Sequence, residues 1–400
     1  MAVLKKLIYL SLFAFPLGVV IRIKIFGNSA VYPLDLVVML SSFVFVYESL
    51  IRKVIPAQKI TIPLIIFLLW AAVSFIINAF WLNPSQIMSS FLYWIRLVLY
   101  LLFFMGVLSL GKKEKRRLLV GMIISSVIFA LFSAVQYIFY PNLAYLHYLG
   151  WDDHLFRVFS TMLDPNFTGV LLSCISILLL GLGFAWSNKK VKLGIFVLFV
   201  ICVMLLFLTY SRTAYVTFLV SFTTFFLLLR KAKYIVFLVA IFVLGLVLIP
   251  KDLHSEGVDL LRTNSVYARL SANQDAIEIF KQSPIYGVGY NTLRFVRENK
   301  SGYDASQYED HSLSGFPNSY LYVLSTTGII GLIIFLFFLI NTMLVVKSQE
   351  AKDHYQTISG IIAISTLVGV MAGSLFENLF FYIFVQYWLF LVIAIAYEKD

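Results

Sequence analysis

Uncharged apolar runs of about 20 residues recur along this 400-residue chain, and they constrain its fold more than any other feature. One such run, coiled as a helix, crosses a hydrocarbon core of about 30 Å. Apolar residues make up 61% of the chain and charged residues only 13%, so lipid must surround most of it. We therefore predict an all-α polytopic membrane protein, with residues 1–400 forming a single helical domain.

We predict about twelve membrane-spanning helices from these runs. They cover residues 7–23, 31–49, 60–80, 88–110, 118–140, 166–186, 193–210, 213–229, 234–250, 326–346, 356–375 and 379–396. The first run is too long for a signal peptide and lacks a small-residue cleavage site, so we expect it to be a retained helix.

Lysine and arginine gather in clusters, one before the first predicted span and the others after even-numbered spans. The clusters lie at residues 5–6, 52–59, 112–117, 189–192, 230–233 and 347–352. Because cytoplasmic loops keep an excess of positive charge, both termini are predicted to be cytoplasmic. The net charge of +11 is then a signal of topology, and we expect no nucleic-acid partner.

A long hydrophilic stretch, residues 251–317, separates the ninth and tenth spans and is placed outside the membrane by the same pattern. Within it, Asn264 and Ser265 open a predicted helix that Pro284 ends. We expect the apolar stripe of this helix to face the membrane surface or the tops of the spans. Its members are Val266, Leu270, Ile277 and Phe280. The glycines of the segment Gly287-Val288-Gly289 then predict a tight turn.

The strongest local pattern follows this loop. In FPNSYLYVLSTTGIIGLIIFLF, Asn318 opens a short helical piece, Gly328 and Gly331 break it, and a span begins. This segment resembles the O-antigen ligase and polymerase family of bacterial membrane glycosyltransferases.

Three further segments agree with that resemblance, which covers roughly residues 150–335. They are Tyr210-Ser211-Arg212 at the outer end of a span, Arg269 ahead of SPIYGVGYN, and Arg157 ahead of the Leu-Asp-Pro-Asn segment at 163–166.

The resemblance implies a fold similar to the GT-C class and a transfer reaction on the outer face of the bacterial inner membrane. Such enzymes move a glycan from undecaprenyl diphosphate to an acceptor hydroxyl on a glycan or a lipid. It further implies a metal-independent reaction without a cofactor, membrane lipid as a partner, and a chain-length regulator as a further partner.

Arginines at the outer boundary suit the anionic diphosphate of this donor, because a guanidinium can bind phosphate oxygens through two parallel hydrogen bonds. Arg212 is the first candidate, with donors from Tyr210 and Ser211 beside it. The family position also selects Arg269, Arg157 and Asn318 as site residues. Arg212 could instead mark a polar turn, Arg269 a solvated helix, and Arg157 a salt bridge to Asp164.

Arg96 lies in the middle of the apolar segment SFLYWIRLVLYLLFF. Facing lipid there would cost roughly 2.5 to 3.5 kcal/mol, so the side chain must face inward. Two interpretations of Arg96 are equally consistent with the sequence: a structural pair with Glu48 or Glu377, and contact with a lipid phosphate.

A general base must take the proton of the acceptor hydroxyl. In the ligase branch of the family, a histidine stands at or next to the position before the asparagine; here Phe316 and Pro317 occupy those places. His311 is the nearest histidine and our first candidate, with Glu309, Asp310 or Glu377 as alternatives. The missing histidine favours a polymerase over a ligase.

Two rival interpretations follow from other features. Asp152, Asp153 and His154 could bind a divalent cation, but no second ligand cluster accompanies them, so we favour a solvated loop and no metal. Twelve helices and Arg96 would also suit a transporter or flippase of lipid-linked glycans. The concentration of polar residues in one late outer loop favours an enzyme.

Overall fold

The computed structural model describes residues 2–26, 29–52, 58–143, 154–249, 258–259, 263–301, 315–349 and 354–397. These residues form fourteen α-helices and one β-hairpin. The helices are α1 (Ala2–Ala14), α2 (Pro33–Ile51), α3 (Ile62–Asn78), α4 (Pro84–Leu108), α5 (Lys112–Phe139), α6 (Pro165–Ala185), α7 (Lys189–Phe207), α8 (Arg212–Leu228), α9 (Lys233–Leu248), α10 (Asn264–Gln282), α11 (Leu293–Ser301), α12 (Ser319–Lys347), α13 (His354–Gly373) and α14 (Ile383–Ala396). The hairpin pairs β1 (Ile23–Phe26) with β2 (Ser29–Val31).

Eight helices within these described ranges are long and apolar enough to cross a membrane. They are α2 to α7, α12 and α13, while α8, α9 and α14 are apolar but shorter. Large apolar side chains cover the outside of α9, where Val236 is 75% exposed, as expected of a surface that faces lipid. The predicted class of a polytopic helical membrane protein is confirmed, whereas the count of twelve, the cytoplasmic termini and the outer loop stay predictions.

The predicted helix over residues 7–23 is wrong in its second half. Helix α1 ends at Ala14, and the next turn, Phe15–Leu17, is a 3₁₀ helix that contains Pro16. Proline has no amide hydrogen and disfavours a continuing α-helix. The chain then enters β1, whose Ile23 lies opposite Val31 in antiparallel register. An unbroken apolar run does not distinguish a helix from a short helix followed by a strand.

The chain forms two compact units, each assembled from separate segments. The first unit holds residues 1–11, 21–110 and 264–345, and the second holds 12–20, 111–263 and 346–400. In the second unit, the Phe15 ring lies 5.8 Å from Phe129, 5.6 Å from Tyr387 and 5.3 Å from Trp388, which makes an aromatic core.

In the first unit, the turn that follows α10 is bonded to the break within α12. The Val288 amide donates to Ser325 O (3.0 Å) and the Gly289 amide to Thr326 O (3.0 Å). In return, the Ile329 amide donates to Pro284 O (2.9 Å). We call this pair of segments, residues 284–289 and 325–329, the glycine joint. It satisfies backbone groups that the broken helix leaves unpaired.

Three polar side chains of α3 support the glycine joint. Trp70 Nε1 donates to Thr327 O (2.8 Å), and Asn78 Nδ2 donates to Gly287 O (3.0 Å). Ser74 Oγ shares its proton between Tyr286 O (2.6 Å) and Thr326 O (2.8 Å). Both chain segments are thereby fixed to one helix.

Glycine is required at the two closest points of the joint. Gly287 has φ +69° and Gly328 has φ +70°, a region that favours glycine. A Cβ at Gly328 would lie 2.1 Å from Ile285 O, and one at Gly287 would lie 2.3 Å from the carbonyl carbon of Thr326. The predicted turn at Gly287 and break at Gly328 are confirmed, while Gly331 lies within the continuing helix.

Candidate functional site

Two loops of the second unit carry the arginines Arg157 and Arg212, and hydrogen bonds join these loops. The Val158 amide donates to Leu208 O (2.9 Å), and Arg157 Nε donates to Thr209 O (2.9 Å). Arg157 is buried, and Arg212 is partly buried at the first turn of α8. We call this pair of loops, residues 157–166 and 208–212, the arginine loops.

Gln136 of α5 organises the first arginine loop. Its Oε1 accepts from the amides of Phe159 and Ser160, both at 2.9 Å. Its Nε2 donates to Tyr140 O (3.1 Å) and Arg157 O (3.3 Å). Gln136 is not among the residues predicted from the sequence, although an amide in an apolar helix is a detectable signal because it needs polar partners when buried.

Both arginine loops end in helix caps that contact each other. Asp164 Oδ1 accepts from the amides of Asn166 (2.6 Å) and Phe167 (3.1 Å), which caps α6. Ser211 Oγ accepts from the Ala214 amide (3.3 Å) and thereby caps α8. Ser211 Oγ also donates to Asn166 Oδ1 (2.9 Å). The starting ends of α6 and α8, which carry partial positive charge, therefore lie beside each other.

The backbone of the arginine loops is strained. Leu163 and Tyr210 have φ values of +53° and +50°, and Ser160 has +48°. Such conformations cost free energy in residues other than glycine and concentrate at functional sites. The Tyr210 side chain is 2% exposed and packs with Ile249 and Val258, so Tyr210 supports its loop from within.

The connection between α13 and α14 also reaches this region. The Tyr382 ring stacks on Phe167 at 3.7 Å, and Tyr382 Oη lies 3.5 Å from Met162 Sδ. Glu377 lies in the same connection and is partly exposed. The second unit thus brings together the segments that carry Arg157, Arg212, Tyr210 and Glu377.

The other predicted site residues within the described ranges belong to the first unit. Arg269 lies on α10 and is partly buried. The predicted helix is confirmed, and its stripe residues Val266, Leu270 and Ile277 are exposed, whereas Ala276 and Ile279 are buried. Five further predicted residues lie outside the part of the chain that the structure describes, namely His311, Glu309, Asp310, Asp152 and Asp153.

Asn318 opens α12 as predicted and caps it. Asn318 Oδ1 accepts from the amides of Tyr320 (2.9 Å) and Leu321 (3.1 Å). Just before it, Phe316 is buried under the guanidinium of Arg297, 5.1 Å from the ring centre. Arg297 Nη1 also donates to Gly315 O (3.3 Å). Arg297, which fixes the segment ahead of Asn318, is also not among the residues predicted from the sequence.

The predicted structural pair of Arg96 with Glu48 or Glu377 is wrong, whereas its contact with a lipid phosphate stays a prediction. Arg96 Nη2 lies 3.1 Å from Asp35 Oδ2 and also donates to Ala30 O. Tyr100 Oη donates to the other Asp35 oxygen (3.1 Å), and the guanidinium lies 5.2 Å from the centre of the Tyr93 ring. Asp35 is accessible to Arg96 because it lies in the first turn of α2, just after the hairpin. The ion-pair partner of Arg96 is therefore Asp35, and neither Glu48 nor Glu377.

Tyr290 lies next to the glycine joint and is not a candidate base. Its side chain is buried, with its ring 6.5 Å from that of Tyr322. Burial raises the pKa of Tyr290, since a phenolate would lose its solvation. Its hydroxyl therefore stays protonated at neutral pH.

A family model described as O-antigen ligase matches residues 195–336. Over these residues the chain is similar to the O-antigen ligase family. The predicted resemblance is confirmed. No curated protein sequence matches the chain.

The O-antigen ligase match runs from α7 into α12. It includes Arg212, Arg269, Asn318 and the glycine joint, whereas Arg157, Arg96 and Glu377 lie outside it. Together with the apolar helices, the match indicates a multi-pass protein of the bacterial inner membrane. It supports a membrane glycosyltransferase function in O-antigen processing.

Proposed function

We propose that this protein transfers a glycan from undecaprenyl diphosphate to an acceptor hydroxyl on the outer face of the inner membrane, and that it polymerises O-antigen or exopolysaccharide repeat units. The proposal rests mainly on one observation. Arg157 and Arg212 lie on loops joined by the Arg157–Thr209 hydrogen bond, and Arg212 belongs to the O-antigen ligase match.

The electrostatics of the arginine loops suit a diphosphate. Two guanidiniums supply permanent positive charge, and the start of α8 adds the positive end of its dipole. Partial burial strengthens these interactions relative to water. Asp164 lies at the start of α6, where its Oδ1 accepts from two amides and the positive end of that helix favours a carboxylate. Arg269 stays a further predicted ligand of the donor.

In the proposed reaction, the acceptor oxygen attacks the anomeric carbon of the donor sugar. The bond from that carbon to the phosphate oxygen breaks, and undecaprenyl diphosphate leaves with the electron pair. Arginines that bind the diphosphate stabilise the charge that develops on the leaving oxygen. The acceptor proton passes to a base, for which His311 stays our first candidate.

The position before Asn318 favours a repeat unit over lipid A core as the acceptor. The ligase branch places a histidine there, whereas this chain has Phe316 and Pro317. Phe316 is 1% exposed, with Arg297 above its ring. A buried phenyl ring cannot take a proton, so ligation to lipid A core is our second candidate.

Deleting the gene in its host tests the assignment, with the surface glycan run on a gel beside the lipid-linked pool. We expect the long-chain ladder to collapse to single repeats. Long chains that accumulate on the carrier lipid would establish a ligase instead. Repeats trapped on the cytoplasmic side would establish a flippase and overturn the proposal.

A further inference from the structure

A basic cavity of about 540 Å³ lies in the second unit, where α5 begins, α6 ends and α13 begins. Its lining includes Lys113, Arg116, Arg117, Trp186, Ser187 and Tyr355. No carboxylate is among its lining residues, which all belong to the described ranges. The cavity therefore offers three cationic side chains to an anion, together with the hydroxyl group of Ser187.

An aromatic contact fixes one of these cations. The Arg116 guanidinium lies 4.9 Å from the centre of the Tyr355 ring. Stacking on a ring face leaves the edge of a guanidinium available for hydrogen bonds to phosphate oxygens. Trp186 is partly buried in the same lining, and tryptophan is enriched where a protein meets the headgroup region of a membrane.

A second cavity at the same end of α6 is apolar. It has a volume of about 230 Å³ and lies between α6 and α7, with Leu179, Phe184 and Phe199 in its lining. Lys192 lies at this cavity, and Lys231 Nζ lies 4.7 Å from the centre of the Phe184 ring. An apolar cavity therefore lies next to cations at the same helix end as the basic cavity.

The basic cavity is separate from the arginine loops. Helix α6 begins at Pro165 beside those loops and ends at Ala185 in the cavity lining. A helix of 21 residues is about 30 Å long. One diphosphate cannot occupy both places, so the mechanism proposed above does not use this cavity.

We propose that the basic cavity binds the headgroup of an anionic phospholipid of the cytoplasmic leaflet, with an acyl chain in the neighbouring apolar cavity. The positive-inside pattern assigns residues 112–117 to that side. Basic cavities between membrane helices on this side suit anionic headgroups. Three cations without a lining carboxylate favour phosphatidylglycerol over zwitterionic phosphatidylethanolamine. The inference does not rest on the proposed glycan transfer, because its test measures lipid binding.

Native mass spectrometry of the detergent-purified full chain, titrated with phosphatidylglycerol, tests the proposal. We expect Arg116→Gln with Arg117→Gln to weaken binding at least about tenfold. The matched control, Lys189→Gln with Lys190→Gln, removes two exposed charges near the end of α6 that do not line the cavity. We expect this control to bind within about twofold of the unchanged chain. Lys113→Gln alone provides a milder variant should the double variant unfold.

Three results would overturn the proposal. An equal loss of lipid binding in both double variants would mean that the phospholipid binds to positive charge in general and not to this cavity. Equal affinity for phosphatidylethanolamine would remove the anionic selectivity. Displacement of the lipid by millimolar inorganic phosphate would identify a site for a free soluble anion.

Discussion

At the residue scale, substitution of Arg212 is the most direct test of whether the arginine loops bind the diphosphate. We expect Arg212→Ala to lower glycan transfer by about 10² to 10³-fold, because one donor to the developing charge is lost. Arg212→Lys should recover only part of this loss, since an ammonium lacks the planar fork of a guanidinium. The measurement is the rate of transfer from a lipid-linked repeat unit by the purified protein.

Arg230→Gln is the matched control, because Arg230 is exposed just after the opposite end of α8. It should leave transfer unchanged. Full activity in Arg212→Ala, with normal insertion, would remove Arg212 from the site.

The second residue-scale prediction concerns the base. We expect His311→Ala to lower kcat by about 10² to 10⁴-fold while KM for the donor changes little, since a base acts on the acceptor proton. His254→Ala, in the same predicted outer loop, is the control and should behave as the unchanged protein. A normal kcat in His311→Ala would transfer the role to Glu309, Asp310 or Glu377.

Single residues of the candidate site were predictable only where local sequence marks them. Arg212 interrupts two apolar spans and Asn318 precedes a helix, so both positions were identified. Gln136, Arg297 and Asp35 act through partners 18 to 61 residues away, such as Phe159, Gly315 and Arg96. No local spacing encodes such pairs, and they emerge only from the tertiary fold.

At the element scale, the glycine joint predicts a sharp difference between two glycines. Gly328→Ala should destabilise the protein by roughly 1 to 3 kcal/mol from backbone strain alone. Its new Cβ would also meet Ile285 O at 2.1 Å. Gly194→Ala is the control, because no atom within 4 Å would meet its Cβ, and α7 should gain slightly from alanine. Thermal unfolding in detergent measures both, and equal midpoints would contradict the strain argument.

The contact between α2 and α4 predicts non-additive substitutions at Asp35 and Arg96. Asp35→Leu should destabilise the protein by about 3 to 5 kcal/mol, because it leaves a charge in an apolar surrounding. Adding Arg96→Leu should recover much of that loss, since no uncompensated charge then remains. Thermal unfolding of the two single variants and the double variant gives the coupling. Additive losses would show that the ion pair at 3.1 Å has no energetic coupling.

Run length and charge were enough to predict most helices, but not every point at which a helix ends. The apolar stretch over 7–23 did not predict the hairpin that follows Pro16. The segments SPIYGVGYN and STTGIIG were identified separately, and each is weak by itself. Their hydrogen bonds to each other join residues 37 to 45 positions apart, and their hydrogen bonds to α3 join residues more than 200 positions apart, which no local pattern shows.

At the scale of the whole molecule, the topology stays a prediction with a direct test. A green fluorescent protein fused after Asp400 should fluoresce, because it would fold in the cytoplasm. Alkaline phosphatase inserted after Gly302 should be active, because the 251–317 loop is predicted to be external. The reverse pattern at either position would contradict the orientation and, with it, transfer on the outer face.

Glycan transfer can be measured directly by incubating the purified protein with a lipid-linked repeat unit in vesicles and analysing the products by mass spectrometry. We predict carrier-linked chains of two or more repeats together with free undecaprenyl diphosphate, and about 10² to 10³-fold less of both products with Arg212→Ala. A donor that crosses the bilayer with its glycan unchanged, and no new glycosidic bond, would contradict the account and identify a transporter.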